Sequence, residues 1–110
     1  MILPQREKAY VPPEKLSKYL LSETHSIGQY KSKLFRSFGF DETNLDLLST
    51  SLIEVAQTND VEKRALSSYG IKYVVTGMLR SSSETFVKVK TIWIIEPDNE
   101  APRFVTAYPA

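Results

Sequence analysis

Apolar side chains recur at helical spacing through the first half of the chain and at every second position through its last third, so helices precede strands. Pro12-Pro13 followed by Glu14 suits the first turn of a helix, and Leu16, Tyr19 and Leu20 give it one apolar face before Ser22. A second helix follows Thr24-His25-Ser26, whose small hydroxyls can cap it, and runs to Phe38 before Gly39 ends it. A third begins after Asp41 and carries Leu45, Leu48, Leu52, Val55 and Ala56 on one face to about Gln57. Thr58-Asn59-Asp60 breaks the pattern, and the polar segment that follows, to Tyr69-Gly70, reads as a loop. Strands are predicted from Ile71 to Arg80, Thr85 to Ile95 and Arg103 to Tyr108. Their links, Ser81-Ser82-Ser83 and Pro97-Asp98-Asn99-Glu100, are short enough to make neighbours antiparallel. The expectation is an α+β domain with about three N-terminal helices packed on one face of a small antiparallel β-meander.

Composition narrows this picture without selecting an activity. A chain of 110 residues with 42% hydrophobic and 25% charged residues is expected to form one domain, residues 1–110, around a single core. Without cysteine there can be no disulfide framework, thiolate metal site or Cys nucleophile, and one His rules out a multi-histidine metal site within one chain. No metal and no cofactor is therefore expected. The N-terminus lacks a signal-peptide pattern, and the apolar run Ile92-Trp93-Ile94-Ile95 is far below the roughly 20 residues of a membrane span, so a soluble, cytoplasmic protein is expected. The net charge of +1 advertises no polyanionic partner, but its distribution is uneven. Residues 1–40 hold seven Lys/Arg and three Asp/Glu, whereas residues 41–66 hold two and six.

The informative residues are polar ones in apolar rows. On the second helix Ile27, Tyr30, Leu34, Phe35 and Phe38 form a stripe, and Lys31 falls inside it, whereas Lys33 and Arg36 project to the other side as solvated cations. A lysine in such a stripe either snorkels to water along its stem or holds an anion. His25 and Gly28 stand where that helix starts, one turn before Lys31. Unpaired N–H groups there, with no side chain on Gly28 to block approach, could seat a phosphate, and His25 could transfer a proton; alternatively His25 is a surface residue beside a cap. Strict alternation puts Val87, Val89, Thr91, Trp93 and Ile95 on one side of the second strand and Phe86, Lys88 and Lys90 on the other. In the third strand it groups Phe104, Thr106 and Tyr108 against Arg103, Val105 and Ala107. Thr91 and Thr106 are either ordinary strand formers or, with Tyr108, hydrogen-bonding groups on the patch that Lys31 faces. Trp93 and Tyr108 are either core aromatics or platforms for a nucleobase. No glycine-rich phosphate loop, zinc pattern or Ser-His-Asp set is present.

Two stretches carry a family likeness: His25-Ser26-Ile27-Gly28-Gln29-Tyr30-Lys31 on through Phe35 to Gly39-Phe40, and Thr91-Ile92-Trp93-Ile94-Ile95 leading to Pro102-Arg103-Phe104-Val105-Thr106-Ala107-Tyr108-Pro109. They resemble a small bacterial domain family of unknown function, found as stand-alone proteins and at the C-terminal ends of polymorphic toxins. That family is in turn similar to the nuclease assemblage of barnase, EndoU, colicin and RelE-type toxins. The resemblance implies a metal-independent ribonuclease toxin that binds RNA and is neutralised by a small partner protein. His25, Gly28, Lys31, Thr91, Trp93, Arg103, Thr106 and Tyr108 carry the family pattern.

Such chemistry needs a base for the ribose 2′-hydroxyl, an acid for the departing 5′-oxygen and donors for the phosphate. His25 is the candidate base or acid, Lys31 and Arg103 hold the phosphate, and Thr91 and Thr106 add hydroxyl bonds. Tyr108 is a second proton donor or a stacking platform. Arg103 belongs to this set only if a bulge turns it to the side of Thr106. The competing expectation is a non-catalytic interaction module, an immunity or adaptor protein.

Overall fold

The computed structural model describes residues 1–21, 28–81 and 85–110. Pro13–Lys15 forms a single helical turn, α1, which widens into a π-helical turn over Leu16–Leu20. Two regular helices follow, α2 (Gly28–Ser37) and α3 (Leu45–Thr58). Four strands complete the chain: β1 (Val61–Ser67), β2 (Gly70–Arg80), β3 (Phe86–Ile95) and β4 (Arg103–Pro109). The sheet is a fully antiparallel meander in the order β1-β2-β3-β4, so the fold is α+β as its pattern predicts.

One strand was hidden. The segment after Asn59, expected to be a loop, is β1, and it pairs with β2 from Val61↔Val75 to Ser67↔Gly70. Its residues from Glu62 to Ser67 are all exposed, as befits an edge strand that covers no core, so Glu62-Lys63-Arg64 shows no apolar alternation to read. The β1–β2 turn depends on Gly70, whose φ of +137° and tight approach to the Ile95 carbonyl exclude a side chain.

The helices and the N-terminal segment cover one face of the sheet. From the sheet come the buried Tyr73, Val75, Leu79, Val89, Trp93, Phe104 and Ala107, and α3 meets them with Leu48, Leu52, Val55 and Ala56. The end of α2 shows why Gly39 stops it. At φ +89° Gly39 donates to Arg36 O (2.9 Å) and Phe40 donates to Phe35 O (3.1 Å), pairing the last carbonyls while Phe35 and Phe40 both enter the core. Lys33 is exposed as expected, but Arg36 is not a merely solvated cation. Its Nη2 donates to Leu21 O (2.7 Å), its Nε to Ser32 Oγ (3.0 Å) and its Nη1 to Glu42 Oε1 (3.0 Å), clasping α2 to the segments on either side.

Among the described residues the opposite face of the sheet is half-buried to exposed apart from Ile94, and the first ten residues tie the two edges. Val61 donates to Met1 O (2.6 Å) at the start of β1, and Tyr10 bridges to β4 by donating to Pro102 O and accepting from Phe104 N, each at 3.0 Å. Leu3, fully buried between these two clips, anchors the segment. No helix among the described residues is long and apolar enough to cross a membrane.

Candidate functional site

A β-bulge in each edge strand decides which side chains reach the open face. On β4, Ile92 pairs with Thr106 but Trp93 pairs with Phe104, leaving Val105 as the extra residue. The bulge reverses the alternation, so Phe104 and Ala107 both enter the core whereas Thr106 and Tyr108 stand on the open side. Strict alternation, which groups Phe104 with Thr106 and Tyr108, is corrected here. On β1, Val61 pairs with Val75 and Lys63 with Val74, so Glu62 is the extra residue. That bulge gives Glu62 and Lys63, neighbours in sequence, a common face on which both line one cleft.

The cleft has a volume of about 360 Å³ and is lined by Glu62, Lys63, Val74, Lys90 and Tyr108. Two cross-strand rows build it. One runs Glu62, Thr76, Lys90, Tyr108, with Thr76 opposite Lys90 and Lys90 opposite Tyr108; the other runs Lys63, Val74, Ile92, Thr106. At the β1 end Thr76 Oγ1 donates to Glu62 Oε2 at 2.6 Å. At the β4 end the half-buried Lys31 of α2 donates from Nζ to Thr106 Oγ1 at 2.5 Å and lies 5.1 Å from the centroid of the Tyr108 ring. A cation at that distance from an aromatic face is attracted by the ring quadrupole and fixes the ring's orientation. The lysine in the apolar stripe thus meets Thr106 and Tyr108, beside the cleft that Lys63 and Lys90 line.

The other expected site residues are placed as follows. Thr91 is fully buried on the core face, where its hydroxyl donates to Val75 O (2.7 Å) and accepts from Trp93 Nε1 (2.8 Å). Trp93 is equally buried and meets Phe104 edge to face at 5.4 Å. Thr91 is thus turned into the core, where it satisfies the one polar atom of a core indole. Trp93 likewise presents no face to a nucleobase. Arg103 pairs with Ile94 and is turned by the bulge to the side of Thr106, but its Nε donates to Glu96 Oε1 at 3.0 Å, which commits it to a half-exposed ion pair. Gly28 is the first residue of α2, one turn before Lys31. His25 lies outside the described residues. Among those residues no three His, Cys, Asp or Glu side chains gather as a metal ligand set would.

Glu62, Lys63 and Lys90 are cleft residues that the sequence did not single out together. Lys90 shows as one of an alternating lysine pair; Glu62 and Lys63 were lost with the unread strand. Only the bulge gives them a common face, and a one-residue bulge between polar residues leaves no trace in hydropathy.

The profile of a family described as "Domain of unknown function (DUF6883)" matches residues 2–110. No curated protein matches the chain. Among solved structures, the fold is shared by a chain of the "Contact-dependent growth inhibition toxin - immunity protein complex from Klebsiella pneumoniae 342", with a TM-score of 0.71 and 14% identity over 96% of this chain and 96% of that one.

Proposed function

Because the chain belongs to the DUF6883 family of domains of unknown function, its role must come from its own chemistry, and we propose that it is a toxin-type, metal-independent ribonuclease. The observation that carries this reading is the Lys31 ammonium held against Thr106 and over the Tyr108 ring, beside a cleft that Lys63 and Lys90 also line. One ammonium group against Thr106 and the Tyr108 ring, with two further lysines lining the cleft beside it, suits a phosphodiester: fixed cations stabilise the charge that builds on phosphorus-bound oxygens, and Tyr108 can stack on a base or donate a proton. His25, a few residues ahead of α2 in sequence, remains the candidate for base or acid, and Gly28 leaves the start of that helix open to a phosphate. The solved structure that shares the fold comes from a complex of a growth-inhibition toxin with its immunity protein, which suits either member of such a pair and is consistent with a protein partner for this chain.

The test is direct. The purified protein should cleave RNA in the presence of EDTA, and Lys31→Met should slow cleavage by about 100-fold, the scale of losing one preorganised donor to a developing oxyanion. The substituted protein should melt within a few degrees of the parent, because methionine retains the length of the lysine stem. Cleavage at the parental rate by Lys31→Met would overturn the proposal.

A second reading, an immunity or adaptor protein, is favoured by two large apolar side chains on the open face, Met78 (51% exposed) and Phe86 (54% exposed). Expression in bacteria separates the two. Growth arrest relieved by a co-expressed small partner supports the toxin, and harmless expression together with protection against a cognate toxin supports the immunity protein.

A further inference from the structure

In the cleft row Glu62, Thr76, Lys90, Tyr108, a carboxylate stands at one end, a phenol at the other, and an ammonium group between them. Strands are spaced by about 4.8 Å, so the β4 phenol lies one strand from Lys90 and β1 lies two strands away on the other side, its Glu62 carboxylate reaching back over β2 to Thr76. Transesterification of RNA imposes that order. The attacking 2′-oxygen and the departing 5′-oxygen lie roughly in line through phosphorus, so the proton acceptor and the proton donor must flank the phosphate from opposite sides.

We propose that Glu62 is the general base of the ribonuclease, a role that rests on the function proposed above. Its carboxylate removes the proton of the 2′-hydroxyl as the 2′-oxygen bonds to phosphorus. Lys90 and Lys63 hold the non-bridging oxygens. The bond from phosphorus to the 5′-oxygen breaks, and that oxygen leaves with a proton supplied from the Tyr108 end of the row, giving a 2′,3′-cyclic phosphate and a 5′-hydroxyl. No oxidant, metal or further reactant enters the balance. Two features fit Glu62 for the task. The bulge projects it into the cleft beside Lys63, and the 2.6 Å bond from Thr76 to Oε2 fixes the carboxylate while leaving Oε1 to take a proton. Glu62 is the one carboxylate lining this cleft among the described residues, whereas Glu96 is bound to Arg103 and Glu42 to Arg36.

Glu62→Gln keeps the size of the side chain and can still accept the Thr76 bond, so folding, checked by thermal melting, should be preserved. Two substrates are compared across pH: an RNA oligonucleotide, and uridine 3′-(4-nitrophenyl phosphate), whose leaving group departs without an acid. Glu62→Gln should slow both by at least about 100-fold and abolish the acidic limb of the pH–rate profile, because the base is needed for either substrate. Tyr108→Phe should slow the oligonucleotide far more than the nitrophenyl ester. Glu62→Gln activity within about threefold of the parent, or slow cleavage that keeps the acidic limb, would overturn the role of Glu62 while leaving the ribonuclease intact. A parent protein that cleaves neither substrate would instead overturn the function on which this role rests.

Discussion

Two threonines on adjacent strands, both candidate site residues by sequence, end on opposite faces of the sheet with different partners. Thr91 bonds the indole of Trp93 inside the core, and Thr106 receives Lys31 on the open side. Thr91→Val should therefore cost about 1–3 kcal/mol in denaturant unfolding, by leaving the buried Trp93 N–H unpaired, while RNA cleavage per folded molecule stays within about twofold of the parent. Lys31 was legible because a single cation interrupts a helical apolar stripe and needs a reason. The placement of Thr91 is not legible in the sequence, because a hydroxyl that serves the core and one that serves a ligand carry the same hydropathy. Charge pairing adds a pH signature elsewhere. The Arg36 guanidinium, donating to both oxygens of Glu42, holds that carboxyl down to about 2 from its ordinary 4.5. A depressed folded pKa contributes stability that is complete above the ordinary value and is lost as pH falls toward about 2. In a series of thermal melts, Glu42→Gln should thus melt below the parent at pH 6, and the gap should close between the two values.

At the scale of elements, the meander and the helix stops were written in turn residues, and the bulges were not. Gly39 declared the end of α2, and Ser81 and Pro97 marked the links after β2 and β3, because these residues have strong local backbone preferences. β1 escaped because an exposed edge strand needs no alternating apolar residues. The site inherits that blindness, since Glu62 and Lys63 share a face only through an extra residue, as do Thr106 and Arg103 on the far edge. The β1–β2 turn is the point at which this register can be attacked. Gly70→Ala places a methyl group against the Ile95 carbonyl at a backbone conformation L-residues avoid, and should cost about 1–3 kcal/mol in chemical unfolding. If Glu62 acts in the cleft, the same substitution should lower cleavage beyond the loss of folded protein, whereas Thr91→Val should not.

For the molecule as a whole, a net charge of +1 hides a local field, because Lys63 and Lys90 line one cleft and Lys31 adjoins it at Tyr108, while the acidic surplus of residues 41–66 resides mostly in α3 and the loop before it. RNA affinity should accordingly fall with salt with a log–log slope of about −2, the value for roughly three phosphate contacts to a single strand. A flat response measured by fluorescence anisotropy on a non-cleavable 2′-deoxy oligonucleotide would exclude the ammonium cluster as the contact. The N-terminal clips bear on the same face from behind. Met1 is held at the β1 margin and Tyr10 at the β4 margin, so one short length of backbone spans the sheet as a string spans a bow. That span joins the margin that bears the Glu62 carboxylate to the margin that bears the Tyr108 phenol. If those two groups act together as proposed, a lesion in those first ten residues should free both margins and lower cleavage while leaving every side chain of the cleft in the protein.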